Sequence, residues 1–269
     1  MKQFISAAAN ANIGKRRENN EDNFYFNGVF LTAETREQPG EFEAVCGDGR
    51  QVYAVCDGMG GEQLGELASL ITVETLHKYS GLLKNAPAAN MGAELEKCIR
   101  EANSLICEAQ KNRGANRIGT TLAMIAVENK YAYLYNIGDS RIYLLRGGRF
   151  EQLSEDHTAA ARSVKLGIIT PDQAKTHPQR NSLTQYVGID EAEMVIEPHK
   201  SKLKMKDNDI FLLCSDGLTD MVDETEISRI LSENNQPAEA ARQLVGAALS
   251  REGKDNITVI ILACRRRIW

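Results

Sequence analysis

Residues 121–148 read TLAMIAVENKYAYLYNIGDSRIYLLRGG. Three apolar runs, TLAMIAV (121–127), YAYLYNI (131–137) and RIYLLR (141–146), follow one another across Glu128-Asn129-Lys130 and Gly138-Asp139-Ser140. Gly147-Gly148 reads as a further tight turn. Aliphatic and aromatic runs bounded by turn formers predict strands, and connections this short predict antiparallel pairing. Similar runs at FYFNGVF (24–30), QVYAVC (51–56), EMVIE (193–197), DIFLLCS (209–215) and ITVIILA (257–263) add five strands. The N-terminal MKQFISAAANA adds another, because its apolar core is too short and too interrupted by Ser6 for a secretory leader.

Helices show the other period. From Asn90, read as an N-cap, the apolar residues Met91, Leu95, Cys98, Ile99, Ala102, Leu105, Ile106 and Ala109 recur every three or four positions and form one stripe for burial. Further helices are predicted from Glu62 to about Tyr79 and from Pro237 to about Leu249, and Asp223-x-x-Glu226 and Thr170-Pro171-x-Gln173 read as capping boxes. Helices grouped around antiparallel strands predict an α+β fold, with sheet packed on sheet or on helix.

No repeat or linker divides the chain, so a single domain over 1–269 is expected. With 42% hydrophobic residues in 269, a large core is available. A net charge of −5 disfavours nucleic acid as a partner. The basic run Arg265-Arg266-Arg267 reads as a solvated tail, and the longest apolar stretch, at 257–264, is far too short for a membrane span. Six cysteines without a C-x-x-C pair or zinc spacing read as free thiols in a cytoplasmic protein.

Four aspartates fall at predicted strand ends: Asp57, Asp139 and Asp216 after strands, Asp255 before the last one, with Glu21-Asp22 just before the strand at 24. Asp-Gly is a common turn dipeptide, and for Asp48-Gly49 in the polar loop 33–50 the turn reading suffices. The other acids either lie apart on the surface or, crowded at one rim, hold a hard divalent cation such as Mg²⁺ or Mn²⁺. In AVCDGMGGE (54–62), Gly58 would let a backbone carbonyl approach such an ion, and Gly60-Gly61 would keep the rim open as the chain turns into the helix.

Taken in order, R-x-x-N-E-D (17–22), D-G-M-G-G (57–61), G-E-L-A-S (65–69), I-G-T-T (118–121), I-G-D-S-R (137–141), L-S-E-D-H-T (153–158), N-S-L-T-Q-Y-V-G (181–188), C-S-D-G-L-T-D (214–220) and K-D-N-I-T-V (254–259) resemble the metal-dependent, type 2C Ser/Thr protein phosphatases, above all their compact bacterial branch. The resemblance implies a four-layer α-β-β-α sandwich and hydrolysis of phosphoserine and phosphothreonine in proteins by a water that two cations (Mn²⁺ or Mg²⁺) activate, opposing a Ser/Thr kinase. By the same resemblance Asp57 would bridge the ions and Gly58 would offer its carbonyl. Glu21 would complete one ion's ligands, and Asp216 with Asp255 the other's. Asp139 would serve a third, weaker ion, Asp22 would accept a hydrogen bond from water on the metals, and Arg17 would bind the substrate phosphate. Residues 159–181 would form a flap beside the cleft. Met59 stands where some members carry a histidine that protonates the leaving group. His77, His157 and His199 are expected to be structural, and His177 lies in the flap. The expected partners are phosphoproteins and a cognate kinase, and the expected state is a monomer. Two rivals are an adaptor for phosphorylated partners and a phosphatase of small phosphate esters; the first would have lost acidic ligands, and here all are present. A nucleotide-dependent enzyme is disfavoured because neither a P-loop nor a G-x-G-x-x-G motif occurs.

Overall fold

The computed structural model describes residues 3–38, 40–46, 49–60, 64–85, 87, 90–114 and 117–266. In chain order the strands and helices are β1 (Gln3–Asn12), β2 (Asn23–Phe26), β3 (Gly40–Cys46), β4 (Gln51–Cys56), β5 (Gly58–Gly60), α1 (Leu64–Asn85), α2 (Met91–Arg113), β6 (Ile118–Thr120), β7 (Leu122–Glu128) and β8 (Tyr131–Ile137). They continue as β9 (Arg141–Arg146), β10 (Arg149–Gln152), α3 (Ala159–Lys165), α4 (Pro171–Lys175), β11 (His199–Lys204), β12 (Ile210–Cys214), α5 (Asp216–Thr219), α6 (Glu224–Glu233), α7 (Pro237–Ser250) and β13 (Ile257–Arg266). A six-stranded sheet runs β10-β9-β12-β13-β1-β3, a five-stranded sheet runs β11-β8-β7-β4-β2, and β5 and β6 form a small ribbon. All of the pairings are antiparallel.

Three apolar layers hold the sandwich. Between the sheets, Phe24, Tyr53, Ile125, Leu213 and Leu262 interdigitate. Val73, Leu95, Ile99 and Ile106 of α1 and α2 cover the five-stranded sheet, and Ile227, Leu244 and Ala248 of α6 and α7 cover the six-stranded one. Each large side chain buried this way contributes roughly 1.5–3 kcal/mol. This is the expected four-layer α+β sandwich.

Several local expectations are corrected. The run at 24–30 is not one strand: β2 ends at Phe26, Asn27 and Gly28 take positive φ (48° and 113°), and the Phe26 N–H donates to the Val29 carbonyl at 2.7 Å in a tight turn. EMVIE is no strand either, since Asp190 captures the N–H groups of Ala192, Glu193 and Met194 in a turn and leaves Val195 64% exposed. The strand there is HKSKLK, an edge strand on β8 whose lysines carry no apolar alternation to betray it but do protect an open edge. The second half of loop 33–50 is β3, paired with β1; Asp48 lies outside the described residues. Asn90 makes no side-chain cap. The first predicted helix runs from Leu64 to Asn85, and its expected start at Glu62 falls outside the described residues. Arg265 and Arg266 are not a free tail but the end of β13, where Arg265 donates to Asn208 Oδ1 and the Asn235 carbonyl, while Arg267 lies outside the described residues. The Thr170–Gln173 capping box stands in both directions, whereas at Asp223 the cap is the single bond from the Glu226 N–H, the Glu226 carboxylate facing Arg251 and Arg229 instead.

The largest correction concerns β8 and β9. They do not pair with each other: β8 lies in the five-stranded sheet and β9 in the six-stranded one, so Gly138-Asp139-Ser140 crosses from sheet to sheet. Gly138 adopts φ 93°, and a Cβ there would lie 2.7 Å from Thr121 Cγ2. Among the described residues, no helix is long and apolar enough to cross a membrane, and Cys56, Cys98, Cys107, Cys214 and Cys264 are free thiols.

Candidate active site

Strand register determines where the acids meet. Asn23 pairs with Cys56, so Asp22 and Asp57 leave β2 and β4 at the same rim. Leu122 pairs with Ile137, which brings Asp139 to that rim. In the other sheet Arg141 and Val259 flank Cys214, and Asn12 pairs with Ile257, so Asp216, Asp255 and the segment carrying Arg17 and Glu21 emerge on the same side. The sheet crossing at 138–140 joins the two halves of this rim.

Backbone contacts are close there. Gly58 packs directly on the start of α1 beside Glu21: a Cβ on Gly58 would meet the Gly65 carbonyl at 2.2 Å, and one on Gly65 would meet Glu21 Cδ at 2.9 Å. The Gly58 N–H donates to the Glu21 carbonyl at 3.2 Å. Asp57 is set by its backbone, which donates to Thr121 Oγ1 (2.9 Å) and accepts from the Thr121 N–H and the Thr120 hydroxyl. Asn256 ties three segments together, accepting from the Glu21 N–H (2.8 Å) and donating to the carbonyls of Ile13 and Asn19 (2.9 Å each). Ser215 donates to Asp22 Oδ2 (2.7 Å) and accepts from the Thr258 N–H (3.0 Å).

The electrostatics follow from crowding. Asp22 is almost wholly buried, while Asp57, Asp139 and Asp216, packed deeply in protein, keep part of their surface open to the rim. Burial, and then the charges of Asp22, Asp216, Asp139 and Asp255, hold the Asp57 carboxyl well above the usual carboxylate range. Asp139 is raised the same way, by burial and then Asp216. Burial pushes Asp22 up to about 7, although the Ser215 hydroxyl opposes it. Asp216 is also pushed up to about 7, by burial and then Asp255 and Asp220, with a hydrogen bond to Asp57 giving partial relief. Burial raises Glu21 against the opposing pull of Arg17.

Among the described residues, no three carboxylate, thiol or imidazole groups converge tightly enough to form a ready-made metal cage. Asp255 Oδ2 is instead paired with Arg17 Nη2 at 2.7 Å, and Asp57 with Asp216. Buried oxygen donors that hold protons against their own repulsion are the donor set a hard dication satisfies, so the residues present fit divalent cations.

The expected residues Glu21, Asp22, Asp57, Gly58, Asp139, Asp216, Asp255 and Arg17 thus lie along one rim. Arg17 is half exposed on the solvent side. Met59 lies in β5, paired with Gly119 of β6. His157 accepts from the Gly138 N–H through Nδ1 (3.1 Å), His77 packs on Tyr25 and Phe30, His177 accepts from the Gln179 N–H, and His199 faces Glu155. The sequence reading missed Asn256, Ser215 and Thr121. Asn256 and Thr121 lay inside motifs with no role assigned, and only their hydrogen bonds across 64 to 243 residues of chain show what they do.

The chain matches the family model described as Protein phosphatase 2C over residues 41–251. The chain belongs to the protein phosphatase 2C family. Among its relatives, the Serine/threonine phosphatase stp of Listeria monocytogenes is 34% identical over 93% of this chain and 92% of that protein. The crystal structure of the Mycobacterium tuberculosis serine/threonine phosphatase PstP/Ppp superposes with a TM-score of 0.81 at 31% identity, covering 98% of this chain and all of that one. A structure of the PstP catalytic domain in complex with two manganese ions superposes at 0.79 with 29% identity, again covering 98% and 100%.

Proposed function

We propose that this chain is a cytoplasmic Mn²⁺- or Mg²⁺-dependent phosphatase of phosphoserine and phosphothreonine in proteins, opposing a Ser/Thr kinase. The observation that carries this reading is the set of buried carboxylates at one rim, raised by burial and by each other. Asp57, the Gly58 carbonyl, Glu21, Asp216 and Asp255 would hold two divalent cations, and Asp139 would serve a third. Two such ions, when bound, supply the positive charge that ionises the carboxylates and acidifies water for in-line attack on phosphorus.

The chain's own residues do the rest. Arg17, half exposed beside Asp255, offers a guanidinium fork that binds and orients the phosphate once cations take over the neutralisation of Asp255. Asp22, which burial pushes up to about 7, is fixed by the Ser215 hydroxyl, which donates to it. Met59 has no proton to give, and His157 Nδ1 is occupied by Gly138. The segment 159–181 serves as the flap: α3 and α4 leave Leu166 and Ile168 66% and 69% exposed. Its end is tied beside Asp216, through Asn181 Nδ2 to Asp220 Oδ2 (3.2 Å).

Hydrolysis of a phosphothreonine peptide, followed by phosphate release, is expected to require added Mn²⁺ and to stop with chelator. Turnover that survives chelation would refute the metal-dependent reading. Arg17→Ala is expected to raise KM for phosphopeptide about 10-fold or more, because the guanidinium binds phosphate in the ground state. A loss in kcat at constant KM would instead place its contact in the transition state.

A further inference from the structure

The loop predicted to begin at residue 33 proves to touch the rim. After β2 the chain turns at Asn27-Gly28 and runs back alongside the 20–23 segment, to which it is stitched in both directions. Asn23 Nδ2 donates to the Leu31 carbonyl (2.9 Å) and the Leu31 N–H returns to Asn23 Oδ1 (3.0 Å). Asn20 Nδ2 donates to the Arg36 carbonyl (3.0 Å), and Arg36 Nη1 donates to the Asn20 carbonyl (3.3 Å). Arg36 is 3% exposed, an unusual place for a guanidinium. Its other partner is Glu66 Oε2 at 3.6 Å, in the first turn of α1.

Asn20 and Glu66 are the neighbours of the two residues that seat the Glu21 carboxylate. Asn20 precedes Glu21 in the chain, and Glu66 follows Gly65, whose backbone N–H donates to Glu21. One buried guanidinium therefore spans both sides of the Glu21 seat. It also neutralises Glu66, the acid whose charge otherwise bears on Glu21. Nη1 alone makes both contacts, at the tip of a side chain one bond longer than a lysine's, so an ammonium on the same backbone falls short of the point between the carbonyl and the carboxylate.

We infer that Arg36 is a positioning residue for Glu21: by clamping the Asn20 carbonyl to Glu66 it holds Glu21 ready for a divalent cation. This rests on the reading of Glu21 as a metal ligand. Groups that orient a ligand typically change metal affinity by about 10- to 100-fold. The test is calorimetric Mn²⁺ binding to the full chain and to Arg36→Lys, Arg36→Met and Glu21→Gln variants, with circular dichroism confirming that each is folded at the assay temperature. Arg36→Met is expected to weaken Mn²⁺ binding about 10-fold or more, and Arg36→Lys, which keeps the charge but ends short of the Nη1 position, about 3- to 10-fold. A merely structural arginine would lower the melting temperature and leave the affinity of the folded protein unchanged. If Arg36→Met does not fold, Arg36→Lys decides. Mn²⁺ affinity within twofold of the parent in the folded Arg36 variants, while Glu21→Gln binds weakly, overturns the inference and leaves the metal reading intact. Parent-like affinity in Glu21→Gln overturns the Glu21 assignment and the inference with it.

Discussion

Asp57→Asn is expected to reduce kcat/KM on a phosphothreonine peptide by about 10³-fold or more and, in chelator, to melt at a higher temperature than the parent. Both effects come from one change. The substitution leaves the main-chain contacts to Thr120 and Thr121 in place, so the rim keeps its shape. It removes the negative charge on which burial and four neighbouring aspartates press. An amide oxygen is a poor substitute for a carboxylate toward a dication, and a loss of about 4 kcal/mol in transition-state stabilisation corresponds to 10³ in rate. Without metal the same carboxylate is a liability, since each unit by which its pKa is raised represents about 1.4 kcal/mol against the ionised native state. Steady-state kinetics with Mn²⁺ and thermal melts in EDTA read the two effects separately. An active Asp57→Asn enzyme would remove Asp57 from the metal site, and a lower melting temperature in EDTA would contradict the crowding described here.

The second large effect is on pH. Burial pushes Asp22 and Asp216 up to about 7 in the folded chain and holds Asp57 and Asp139 well above the usual carboxylate range, all from ordinary carboxylate values near 4 when unfolded. Between about pH 4 and 7 the native state therefore binds more protons than the unfolded state, and the sign of the linkage makes stability fall as pH rises. His157, lowered by burial, acts in the opposite sense but is one group against four. In EDTA the melting temperature is expected to drop by roughly 5 °C or more from pH 5 to pH 8. Saturating Mn²⁺ is expected to reverse this, with its largest stabilisation above pH 7, because cation binding releases the shared protons. Differential scanning calorimetry at several pH values checks it; a flat or rising melting temperature in EDTA would show that the acids are not crowded.

The order of residues was sufficient to read the apolar strands, the striped helices and the placement of acids at strand ends, because these depend on periods of two and 3.6 and on local turn chemistry. Nine ordered motifs were also sufficient to point to the family. What the order could not show was which sheet each strand joins. β7 and β8 pair as their three-residue turn predicts, but the equally short 138–140 turn carries the chain across the sandwich, where β9 pairs with β12 and β10 instead of β8. The lysine-rich β11 lacked an apolar signal, and β3 carried only the short alternation of Phe42 and Ala44 inside a polar loop; pairing with β8 and β1 is what makes them strands. Asn256 and Arg36 are polar residues that sequence alone reads as loop or turn, and Ser215 reads only as the end of a strand. Their meaning comes from contacts with Glu21, Asp22 and Asn20, which only the folded chain brings within hydrogen-bonding distance. Local chemistry decides the elements and names the acids; long-range packing, which no short window contains, decides that those acids share one rim and what holds them there.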